Sequence, residues 1–252
     1  MLKRFPWLVL SLCLTLCLVS CVTNTADRKK QAEASTRLGE SHLAQGNATA
    51  ALRELLKAEA LYKQDYHLQN ALGLAYSEKG KPDLALRHFK KTVALKPDFA
   101  GAWNNMGTVY LKMEQWDKAI ESFNRALGEL LYATPHFALN NLGEAYCGKK
   151  DYTSSIEAYK EALQKEPRYA RAHRGLGLTY LAMGDYKGAI SSLEKAVKNA
   201  PNFAAAYYDL GRARAETYNR EKALSAFKKV VEIAPDSPLA NAALDEIRKL
   251  GR

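Results

Sequence analysis

Apolar residues recur along this chain at helical spacing, and the helical runs themselves recur about every 34 residues. Gly39, Gly73, Gly107, Gly143, Gly177 and Gly211 lie 34, 34, 36, 34 and 34 residues apart. Other columns keep phase with them. One residue before each glycine stand Leu38, Leu72, Met106, Leu142, Leu176 and Leu210. Twelve after come Ala51, Ala85, Ala119, Ser155, Ala189 and Ala223, and sixteen after come Leu55, Phe89, Phe123, Tyr159, Leu193 and Phe227. Each unit reads as two helical runs around a short polar break; in the second unit these are Tyr66 to Lys79 and Pro82 to Leu95, with Gly80 between. Pro97, Pro167, Pro201 and Pro235 close four of the six units, because proline lacks an N–H and clashes with the preceding turn.

The glycine and alanine columns predict close helix crossings. Gly73 and Ala85 are expected to mark the crossing of their pair, and leucine at Gly107 to overpack its own at about 1–3 kcal/mol. One such unit cannot bury its apolar face alone, so neighbours must stack. The first unit is degenerate, with His42 in an aromatic column, and the sixth has Arg214 there. Pro238 to Leu250 places Leu239, Ala242, Ala243, Ile247 and Leu250 on one stripe, as a cap helix would. The 36-residue spacing falls where Leu130, Leu131 and Tyr132 run on before Pro135. It reads either as a two-residue loop insertion or as a lengthened helix or bulge exposing an apolar ledge.

This pattern resembles the tetratricopeptide repeat over residues 32–237. The resemblance implies an all-α superhelix of six helix-turn-helix units (32–65, 66–99, 100–133, 136–169, 170–203 and 204–237) with a cap helix over 238–252. It further implies a concave wall built from the first helix of each unit, with exposed positions two and three residues before the glycine. Those positions hold Asn70, Asn104, Asn105, Asn140 and Asn141, an amide ladder able to pair with an extended peptide backbone. Leu74, Leu111, Leu178 and Leu181 would add apolar pockets. Arg171 and Arg174, with Arg212 on the next unit, would hold a carboxylate or an acidic segment. The plainer alternatives are amides common to such repeats and a solvated charged face.

The N-terminus adds a different signal. Lys3 and Arg4 precede an apolar run from Trp7 to Val19, the order of an export signal, and the run is short for a spanning helix. Leu18-Val19-Ser20-Cys21 resembles a bacterial lipoprotein signal, which implies cleavage after residue 20 and lipidation of Cys21. Several acyl chains would anchor the chain stably. Val22, where aspartate would mark retention at the inner membrane, implies the outer membrane, with the repeats facing the periplasm. Residues 21–31 read as a lipidated, flexible tether of about 15–20 Å.

Charge and chemistry narrow the class of function. The formal charge of +10 falls to +8 once Lys3 and Arg4 leave with the signal, which suits anionic lipid or acidic protein, and export disfavours nucleic acid. Cys13 and Cys17 leave with the signal and Cys21 takes lipid, so Cys147 remains as a packing or groove residue. The five histidines show no metal-ligand spacing, and no phosphate-cradling loop or nucleophile–base pair is evident. A non-enzymatic binding protein is expected, without metal, cofactor or small-molecule substrate. Lipid signal, six repeats and the Leu131-Tyr132 insertion together resemble the pilotin lipoproteins of type IV pilus biogenesis, which implies a secretin as the envelope partner. The other reading is a general scaffold for peptidoglycan hydrolases or outer-membrane protein assembly.

Overall fold

The computed structural model describes residues 6–251, with side chains from 25 to 251. Thirteen helices and no strand occur among the described residues. They are α1 (Pro6–Ala44), α2 (Ala48–Leu61), α3 (Tyr66–Glu78), α4 (Pro82–Leu95), α5 (Ala100–Lys112), α6 (Trp116–Leu127) and α7 (Pro135–Gly148), followed by α8 (Tyr152–Lys165), α9 (Ala170–Met183), α10 (Tyr186–Asn199), α11 (Ala204–Glu216), α12 (Arg220–Ile233) and α13 (Pro238–Gly251). The chain forms two compact units, divided within α5 after Val109.

Local chemistry sets the helix boundaries. Asn47, Asp151, Asp185 and Asn219 precede second helices and accept a backbone N–H from Ala50, Ser154, Gly188 and Lys222, satisfying donors the first turn leaves open. Pro82 and Pro135 open α4 and α7, where a missing N–H is harmless. The closing prolines stand two residues beyond the ends of α4, α8, α10 and α12. Each pair turns through a left-handed residue seven positions after its glycine: Gly46, Gly80, Glu114, Lys150, Gly184 and Tyr218 all have φ between 55° and 78°.

In the first unit, α1 to α4 bury Ala51, Leu55, Ala58, Leu68, Ala71, Leu72 and Ala75. A Cβ placed on Gly73 would lie 2.4 Å from Phe89 Cε1, and one on Gly39 2.6 Å from Leu55 Cγ. The glycine column is therefore pressed first by the side chain sixteen residues on, while alanines such as Ala85 are fully buried beside it. Burying each such phenylalanine contributes about 1.5–3 kcal/mol. A polar network sits among these helices. Gln69 Nε2 donates to Glu59 Oε1 (3.2 Å) and to the Lys63 carbonyl (3.0 Å), which turns its Oε1 toward His88 Nδ1–H (2.7 Å). Burial lowers the His88 pKa, with Glu59 opposing, so the imidazole is neutral.

The second unit repeats the plan. A Cβ on Gly143, Gly177 or Gly211 would strike Tyr159, Leu193 or Phe227. The cap helix α13 closes the array by burying Ala240 and Ala243, the latter in a cluster with Phe227 and Val230. Ser155 replaces alanine in its column without leaving a polar orphan: its Oγ donates to the Gly143 carbonyl (2.8 Å) and lies 2.9 Å from Thr179 Oγ1, which donates to the Gly175 carbonyl (3.0 Å).

The structure corrects one expectation and decides between two others. Residues 21–31 are not a coil, since α1 runs unbroken from Pro6 to Ala44. Arg28 donates to the Ala60 carbonyl (3.3 Å), Lys29 lies over the Tyr62 ring and Ala32 is buried. The stretch from Ala26 to Ala34 is rich in Ala, Lys, Arg, Gln and Glu and has no Gly or Pro, so it extends a helix already nucleated by packing. The joint after α6 is a loop rather than a lengthened helix. Its Leu130 and Leu131 are 96% and 92% exposed, because α6 ends at Leu127 and nothing covers the turn that follows. The side chains of the signal segment, residues 1–20, and of Cys21 lie outside those described. No helix among the described residues is long and apolar enough to cross a membrane.

Candidate functional site

The second unit contains a groove of about 670 Å3. Leu111 and Lys112 at the end of α5 and Trp116 at the start of α6 form one side. Asn140, Asn141, Glu144 and Cys147 of α7 project from its middle, Arg171, Arg174 and Leu178 of α9 from the other side, and Phe203 closes that end. The helical spacing of 140, 144 and 147, and of 171, 174 and 178, puts each set on one face. The groove combines amides, apolar walls and three cations, Lys112, Arg171 and Arg174, against one lining carboxylate, Glu144.

Second contacts hold these side chains. Arg174 Nε donates to Asp209 Oδ2 (2.6 Å) and its guanidinium lies 5.7 Å from the Phe203 ring centre. Asp209 is buried, and burial pushes its carboxyl pKa up while Arg174 and then Arg212 pull it back. Desolvation likewise raises Glu144, with Arg174 opposing. Asn140 Nδ2 donates to Asn141 Oδ1 (3.3 Å). Neither terminal nitrogen of Arg174 bonds a described residue.

Of the residues the sequence singled out, Asn140, Asn141, Arg171 and Arg174 meet in this groove, with Leu111, Leu178 and Cys147. Arg212 does not line it; it approaches Asp209 from behind at 3.8 Å. Asn70 and Asn105 lie in the first unit, where Asn105 Nδ2 donates to Asn70 Oδ1 (3.1 Å), and Asn104 is half-buried. Not every position two or three before the glycine is exposed: Thr36, Ala71, Asn140 and Asp209 are buried, because those sites face the neighbouring pair as much as the groove. Sequence reasoning did not find Trp116, Glu144, Phe203 or Tyr159. Tyr159 comes from a second helix, yet it reaches the groove floor; its signal was a lone tyrosine in the Leu/Phe column. No group of three or more His, Cys, Asp or Glu side chains among the described residues gathers as a metal site.

Comparisons with known proteins agree with this architecture. Models described as tetratricopeptide repeat match residues 66–99, 100–128 and 174–238, and one described as TPR repeat matches 143–184. Among solved structures, PilW, titled a widely conserved type IV pilus biogenesis factor, is similar with a TM-score of 0.78 at 18% identity, over 84% of this chain and 98% of PilW. PilF of Pseudomonas aeruginosa is similar with a TM-score of 0.72 at 19% identity, over 87% and 99%. At such identities these two show the fold alone. MamA is 30% identical over 64% of this chain and 94% of its own, with a TM-score of 0.56. No curated protein matches the chain.

Proposed function

We propose that this chain, which belongs to the tetratricopeptide-repeat family, is a lipid-anchored adaptor of the outer membrane that binds a secretin and assists its localisation and assembly, as a type IV pilus pilotin does. A protein-binding scaffold follows from the family; the anchor, the compartment and the secretin are the proposal. The observation that carries it is the match of fold along nearly the whole of PilW, titled a type IV pilus biogenesis factor, and of PilF, together with an export-like segment ending at Cys21 in this chain.

The physical task is holding, without covalent chemistry. Acyl chains on Cys21 would fix the protein to one leaflet. A groove built on rigid helix pairs offers amides for a partner's backbone and cations for its carboxylates, and it needs little ordering on binding. Deleting the gene and following the secretin by membrane fractionation tests this. Loss of outer-membrane multimers, restored by the wild-type gene but not by Cys21→Ala, is expected. Multimers unchanged in amount and place would exclude the pilotin role and direct attention to other envelope partners.

A further inference from the structure

Tyr159 is the only tyrosine in a column otherwise filled by leucine and phenylalanine, and Gly175 is the only glycine two positions before a repeat glycine. The structure brings these two departures together. The Tyr159 ring lies between α7 and α9, so close to both that a Cβ on Gly143 would be 2.9 Å from it and one on Gly175 2.3 Å from its Cζ. The carbonyls of these same two glycines receive the hydroxyls of Ser155 and Thr179, which fasten the gap on its far side. Tyr159 is 4% exposed, and its hydroxyl bonds no described residue although it opens into the groove. Packing alone does not require that oxygen, since phenylalanine fills the equivalent place at Phe89, Phe123 and Phe227. That oxygen is open to the groove, where water satisfies it in the free protein and a bound partner can take the water's place.

We propose that the Tyr159 hydroxyl, reaching the groove through the window left by Gly175, contacts the bound partner. With Arg171 and Arg174 it selects a carboxylate, the acidic side chain of an extended segment, over its amide isostere. The proposal rests on the reading that this groove binds a partner. The hydroxyl supplies a fixed donor from below, and the Arg174 guanidinium, clamped through Nε by Asp209, presents its two terminal nitrogens as a fork. A cationic side chain would meet three cations and one carboxylate, so the groove's charge favours an acid. The flanking Trp116, Leu178 and Phe203 suit apolar residues beside it.

The test uses purified full-length protein and two capped, labelled peptides, acetyl-Ser-Leu-Glu-Leu-Ser-amide and its glutamine counterpart, with Kd read by fluorescence anisotropy. Wild type is expected to prefer the glutamate peptide by about tenfold or more, the worth of a hydrogen bond to a charged group. Tyr159→Phe, which keeps the packing, should remove most of that preference and leave the glutamine peptide within about twofold. Gly175→Ala should act in the same way by closing the window. A Tyr159→Phe protein that binds the glutamate peptide as wild type does, or loses both peptides equally, would overturn the proposal. So would a wild type that binds neither peptide. The secretin experiment judges the adaptor reading separately.

Discussion

Gly175 and Tyr159 are fitted to each other: the position a Cβ would take on the glycine is 2.3 Å from the tyrosine Cζ. Gly175→Ala alone is therefore expected to destabilise the protein by about 1–3 kcal/mol through overpacking. In a Tyr159→Leu background the same change should cost little or stabilise, because alanine is the better helix former by about 1 kcal/mol. Urea midpoints of the two single variants and the double variant measure this coupling; additive changes would show that the two residues do not press on each other.

The turn column carries strain at its non-glycine members. Tyr218 is held at φ 55° while 96% exposed, so its ring repays nothing by packing within the described residues. The left-handed region costs a side-chain-bearing residue about 1–2 kcal/mol, and glycine's greater freedom when unfolded offsets part of that. Tyr218→Gly should raise stability by about 0.5–1 kcal/mol in chemical denaturation, and Lys150→Gly, at φ 66°, should do likewise.

Asp209 depends on Arg174. Its side chain is 5% exposed, against 33% for the arginine, so Arg174→Ala strands a buried carboxylate with Arg212 only at 3.8 Å. About 2–3 kcal/mol should be lost at pH 7, less than for a fully buried pair because Arg174 is partly solvated. Burial already raises the Asp209 pKa, and losing Arg174 raises it further. Protonation then removes the penalty, so the deficit against wild type should shrink as pH falls toward 4. A deficit independent of pH would assign the loss to packing instead.

His88 gives the opposite slope. Its pKa is below the ordinary 6.5 because burial disfavours the cation. As pH falls through 6.5 the unfolded chain takes up the proton first, so the His88 contribution to stability is full above that value and is lost below it. Its imidazole resonances should titrate below 6.5, and His88→Asn, which keeps a donor toward Gln69, should flatten the fall in stability between about pH 7 and 5 relative to wild type.

The repeat architecture was legible because packing constrains each column separately: a residue that must press on Gly73 or fill the space of Phe89 has few alternatives. The helix limits of the second repeat, read from Tyr66, Pro82 and Leu95, fall within a residue of those found. The helical state of residues 21–31 was not legible, since only the contacts of Arg28 with α2 and of Lys29 with Tyr62 just beyond it reveal the helix there. The arginines of the groove were visible as a helical pair. Asp209, which orients one of them, was hidden because it lies 35 residues away, at a position the repeat pattern reads as exposed. Tyr159 was hidden for a similar reason, as its column faces the core in every other unit.

The most direct measurement places a photo-crosslinking amino acid at Leu178, in the groove, and separately at Ser225, an exposed site on α12 outside it. Cells carrying a pilus secretin are irradiated and the adducts identified. A secretin adduct from Leu178 and none from Ser225 is expected. Secretin adducts from Ser225 alone, or from neither position in cells that assemble their multimers normally, would contradict the assignment of this groove to that partner.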